Sequence, residues 1–85
     1  MKRPNTSVFA GLNAKQIRGR LIASACTMRG LTVKQLAEAV FLSPRQLHRY
    51  LNGISDIDVN KLEQIAEVTG QTLDFFDTRE LVKRN

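Results

Sequence analysis

The sequence predicts an all-α domain of five short helices. Three observations carry that prediction. No apolar/polar alternation runs long enough to make a half-buried strand, so a sheet has nothing to start from. Helix-capping residues and glycine stops recur at short intervals along most of the chain. Between them the apolar residues fall at i, i+3 and i+4 spacings, the period of one buried helical face.

The first twelve residues hold Lys2, Arg3, Pro4 and Gly11 with little periodicity and read as a flexible basic arm. Asn13 is placed to cap a first helix over about Ala14 to Arg29, with the stripe Ile17, Leu21, Ala25 and Met28 and a stop at Gly30. Thr32 and Gln35 form a Thr-x-x-Gln capping box that opens a second helix burying Leu36, Ala37 and Val40. Ser43 and Gln46 repeat the box, and Pro44 takes the first helical position, where a missing N–H costs nothing. This third helix carries Leu47, Tyr50 and Leu51 and ends at Asn52-Gly53. Asp58 caps a fourth, with Val59, Leu62, Ile65, Ala66 and Thr69 ahead of Gly70, and Thr72 starts a short fifth with Leu73 and Phe76.

At 85 residues, 42% hydrophobic and 25% charged, the chain is one small globular domain. A core this small leaves little room for a deep catalytic cleft, so an enzyme is not expected. One cysteine and one histidine supply neither an internal disulfide nor a conventional zinc site, and no cofactor or metal is expected. The apolar runs are far short of a membrane span and the N-terminus lacks a signal peptide's apolar core, so a cytoplasmic location is expected. The net charge of +5 is divided unevenly. Residues 1–50 carry nine basic side chains against Glu38 alone, a net +8, whereas residues 51–85 carry four against seven acidic ones, a net −3. Such a field draws a polyanion to the N-terminal half, since neutralising phosphates releases counterions.

Only Phe41 and Leu42 separate Val40 from the cap Ser43, which forces helices 2 and 3 to cross steeply. Two short helices joined this tightly, the second bearing exposed cations, describe a helix-turn-helix unit. The run Leu31-Thr32-Val33-Lys34-Gln35-Leu36-Ala37, then Leu42-Ser43, Leu47, Arg49-Tyr50, Asn52-Gly53, Leu62, Ile65-Ala66, Gly70 and Leu73 resembles the phage repressor/Cro family of helix-turn-helix domains, the xenobiotic-response-element type. The likeness runs without gaps from about Ala14 to Phe76. It implies a compact five-helix, lambda-repressor-like domain over residues 13–76, with the arm before it and a tail over 77–85.

The resemblance also implies a function: a sequence-specific transcriptional regulator of double-stranded DNA, of phage or mobile-element repressor type, held at the nucleoid of a bacterial host and binding a palindromic operator as a homodimer. Base contacts would fall to Pro44, Arg45, Gln46 and Arg49. Arg45 is the sharpest candidate, because a planar guanidinium matches guanine O6 and N7. Gln46 has two competing uses, a base or the capping box. Phosphate contacts would come from Thr32, Lys34, Ser43 and Asn52, and Lys2 and Arg3 would serve as a DNA arm. Phe75, Leu81 and Val82 are candidates for a dimer patch. The rival reading is an antitoxin or adaptor whose main partner is another protein, bound through the acidic half and the tail.

The chain departs from the family pattern at three places. Val33 stands where a glutamine commonly supports a backbone contact. Phe41 occupies the turn position usually held by glycine, and is expected either to cost about 1 kcal/mol, recovered if its ring packs into the core, or to force another turn geometry. Cys26 and Leu51 replace an arginine and a glutamate that pair in many relatives, and are expected to touch. Asp56, Asp58, Asn60 and Glu67 fall on calcium-loop positions by coincidence, since Lys61 stands where that loop needs glycine. Ser43 and His48, five residues apart on different helical faces, do not make a nucleophile and base.

Overall fold

The computed structural model describes residues 11–78. Four α-helices follow one another, α1 Ala14–Met28, α2 Val33–Ala39, α3 Pro44–Leu51 and α4 Val59–Thr69, and no strand occurs among the described residues. The expected fifth helix is instead a single 3₁₀ turn, Leu73–Phe76. Four residues after Thr72, whose side chain makes no cap bond, are too few to close a ladder of i→i−4 bonds.

The helix starts follow the sequence signals closely. Asn13 and Gln16 form a full capping box, as do Thr32 and Gln35. Asp58 accepts the Lys61 N–H at 2.7 Å, the plain cap expected of it. At α3 only half of the expected box forms: Ser43 Oγ accepts from the Gln46 N–H, while the Gln46 amide turns along the helix and donates to the Tyr50 hydroxyl at 3.4 Å.

All four helices stop in the same way. A residue one or two places past each end donates to the carbonyl three back, and the next residue donates to the carbonyl five back, the Schellman arrangement. This closure needs a left-handed residue, and glycine supplies it after α1, α3 and α4. After α2 the position is Phe41, at φ 60°, the one non-glycine residue with positive φ among those described. Its ring is 86% exposed, so the expected compensation by core packing does not occur. Phe41→Gly is therefore expected to stabilise the fold by about 1 kcal/mol, seen as a higher denaturation midpoint in urea.

The core gathers Ile17, Leu21, Ile22, Ala25 and Cys26 from α1, Leu36, Ala37 and Val40 from α2 and its end, Leu47 from α3, Ile65 and Ala66 from α4, and both Phe75 and Phe76. The stripe on α1 is broader than expected and ends a turn early, with Met28 42% exposed; Val59, expected inside, is 60% exposed. Phe75 is a correction of another kind. It is buried, its ring edge-on to Phe76 at 5.2 Å, and so is not available as a dimer patch.

Cys26 is buried in this cluster and Leu51 packs against it; the thiol donates to the Leu31 carbonyl at 3.2 Å. Burial pushes the Cys26 thiol up from its ordinary range. The folded chain thus holds this proton to higher pH than the unfolded chain does. Stability that is complete below the ordinary thiol range drains away as pH rises toward the raised value. Urea denaturation at neutral and alkaline pH should show a larger alkaline loss for the native chain than for Cys26→Ala.

Candidate nucleic-acid interface

The second half of the helix-turn-helix is a short cylinder held by very little of its own surface. On α3, Leu47 alone is fully buried; Tyr50 and Leu51 are half-buried, and Pro44, Arg45, Gln46, His48 and Arg49 are exposed. That ratio is possible because α3 rests on α1 through backbone. An added Cβ at Gly19, in the middle of α1, would lie 2.6 Å from the Tyr50 carbonyl oxygen and closer still to that of Leu51. Removing one side chain from α1 lets the end of α3 sink onto it and turns the remaining face outward.

The exposed face is cationic and partly set in place. Arg45 projects from the first turn. Arg49 lies one turn on, and its Nε donates to Ser55 Oγ at 3.2 Å. That bond fixes the guanidinium's plane without using its Nη edge on the same partner. The Gln46 side chain, released from the cap, donates through its nitrogen to the Tyr50 hydroxyl. No acidic residue occurs in α3. Thr32, Lys34, Ser43 and Asn52 are likewise exposed, at the start of α2 and at the two ends of α3. Thr32 Oγ1 and Ser43 Oγ both accept backbone N–H bonds, which leaves each hydroxyl proton to donate outward. The Thr32 N–H is taken by the Gln35 side chain.

Two other arginines are engaged elsewhere. Arg18 pairs with Asp56 at 2.8 Å, tying α1 to the loop after α3. Arg29 lies by Gly70 at the end of α4, where a cation complements the helix dipole. Lys2, Arg3, Leu81 and Val82 lie outside the described residues.

Sequence reasoning missed three positions that build the site. Gly19 had a signal, a glycine inside an otherwise periodic helix, which marks close backbone approach. Ser55 and Lys61 had none, because their partners are set by tertiary structure. Lys61 reaches 21 residues back from α4 and donates to the Val40 carbonyl at 2.7 Å. It is a cationic brace at the C-terminal end of α2. No group of acidic, histidine and cysteine side chains suited to a metal occurs among the described residues, and no described helix is long and apolar enough to cross a membrane.

The fold and the outward α3 define a helix-turn-helix protein. The chain belongs to the helix-turn-helix family of the Cro/C1 type, whose family model matches residues 22–76. It is 36% identical over 58 residues, 68% of its length, to uncharacterized HTH-type transcriptional regulators of Rickettsia conorii and Rickettsia prowazekii. The match takes in 46% and 45% of those two proteins, so the chain spans less than half the length of these relatives. Two crystal structures of the clp gene regulator ClgR from Corynebacterium glutamicum share the fold, with TM-scores of 0.72 and 0.70 at 22% and 23% identity. Each aligns over 75% of this chain, and over 68% and 83% of the ClgR chains.

Proposed function

We propose that this chain is a sequence-specific, double-stranded DNA-binding transcriptional regulator. One observation carries the reading: α3 commits only Leu47 fully to the core and offers Arg45, Gln46 and Arg49 on a face without acids, a cylinder of the size that enters a major groove. Arg45 and Gln46 read base edges from the first turn, with Pro44 against them and Arg49 at the far side. Thr32, Lys34, Ser43 and Asn52 hold the flanking phosphates and fix the register.

One such helix spans only a few base pairs, so specificity calls for two copies on a palindromic operator with half-sites ~34 Å apart or a multiple of that. Leu81 and Val82, in the tail over 77–85, are the remaining candidates for the dimer contact, and Lys2 and Arg3 are the candidate DNA arm. The phage-repressor resemblance makes repression at a mobile-element operator, in the cytoplasm of a bacterial host, the assigned role.

Titration of a fluorescent duplex at several salt concentrations tests the phosphate side. Lys34→Ala should weaken every sequence alike and flatten the log–log salt slope by about one unit. An unchanged slope would remove Lys34 from the interface.

A further inference from the structure

We propose that Phe41 is a further specificity-determining residue, an aromatic contact that reads a thymine methyl group beside the bases met by α3. This inference rests on the DNA-binding reading above and deepens it.

Three observations converge on the ring. Phe41 holds a left-handed backbone at φ 60° where the same helix closure after α1, α3 and α4 employs glycine. Its ring is 86% exposed, the most exposed of the large hydrophobic side chains described, so nothing inside the fold offsets that conformation. Strain that the interior does not offset is found where a surface has a use. Its place along the chain says which use: Phe41 is two residues before Ser43, the cap of α3. Its Cα is therefore within about 7.6 Å of the residue that opens the DNA-facing helix.

The chemistry narrows the target. Phe41 has no donor or acceptor, so it cannot read the hydrogen-bonding edge of a base. In the major groove one base feature is apolar, the C5-methyl of thymine, and phenylalanine is among the side chains that meet it. Lys34, Arg45 and Arg49 bring phosphates and bases close, and the desolvated ring then covers a methyl group rather than water.

The test is a uracil scan. Duplexes are chosen by binding selection from a random pool with the native chain, and each thymine is replaced in turn by uracil, which removes only the methyl group. Native protein and Phe41→Gly are compared on the set. Because glycine suits the left-handed position, the variant should melt no lower than the native chain, so a change in binding is not a folding defect. One thymine outside the Arg45 position should lose about fourfold in affinity on replacement, the worth of one buried methyl group. Phe41→Gly should show no such loss there.

The same uracil penalty in both proteins, or no penalty in the native chain, overturns the proposal. So does a Phe41→Gly protein that binds DNA as before yet no longer alters transcription, which would assign the ring to a protein partner. Failure of the underlying reading looks different: the native chain would select no sequence, and both proposals would fall together.

Discussion

Gly19→Ala is expected to destabilise the fold by about 2 kcal/mol, although alanine is the better helix former. Two effects oppose each other. Removing a glycine from a helix interior gains up to about 1 kcal/mol. Against that, the new methyl group would sit 2.6 Å from the Tyr50 carbonyl oxygen and closer still to that of Leu51, separations that real Cβ atoms essentially never show. The obstacle is backbone on both sides, so no rotamer relieves it, and overpacking costs of about 1 to 3 kcal/mol, occasionally more, are the rule when elements must move. Overpacking wins. The change pushes α3 away from α1, so DNA affinity should fall together with the urea midpoint. Gly19→Ala with an unchanged midpoint would mean that α3 does not rest on α1 in this way.

Arg45→Ala is expected to act oppositely, with large effects on recognition and almost none on folding. The side chain is exposed and caps nothing. Its loss should therefore move stability by no more than about 0.5 kcal/mol. Discrimination at one base pair should drop by about tenfold to hundredfold, the worth of a bidentate guanidinium on guanine, about 1 to 3 kcal/mol. Other positions of the site should keep their preference. A uniform loss across all sequences would assign Arg45 to a phosphate instead. Paired with Lys34→Ala, it separates reading from anchoring: one variant changes which sequence is chosen, the other changes how steeply binding depends on salt.

Much of this architecture was legible because it is written locally. Each helix start lies within three residues of its cap, so Asn13, Thr32, Ser43 and Asp58 could be read directly. The left-handed stops at Gly30, Gly53 and Gly70 were equally local, and Phe41 announced itself by standing where glycine was expected. Errors arose where one element's environment is made by another. Met28 and Val59 fit a periodic stripe but fall where no neighbouring helix covers them. Phe75 and Phe76 are adjacent, and periodicity could assign only one inward; a 3₁₀ turn lets both pack, edge against face. Gln46 satisfied the capping-box pattern, yet Tyr50 one turn away offered its amide another partner. For the candidate site, an exposed cationic face on α3 followed from the helix pattern, while the choice of Pro44, Arg45, Gln46 and Arg49 came from the family resemblance. Ser55 beneath Arg49, Lys61 behind α2 and the seat at Gly19 depend on contacts across the fold, which spacing does not encode.

That α3 presents Arg45, Gln46 and Arg49 to the edges of paired bases is tested most directly by a binding-site selection from random duplexes. The selected duplex is then titrated beside a scrambled duplex of identical composition at one salt concentration. The expected result is a preferred sequence with inverted half-sites, bound about a thousandfold or more tightly than the scramble, the low end for specific DNA-binding proteins. Equal affinity for the two duplexes would contradict it.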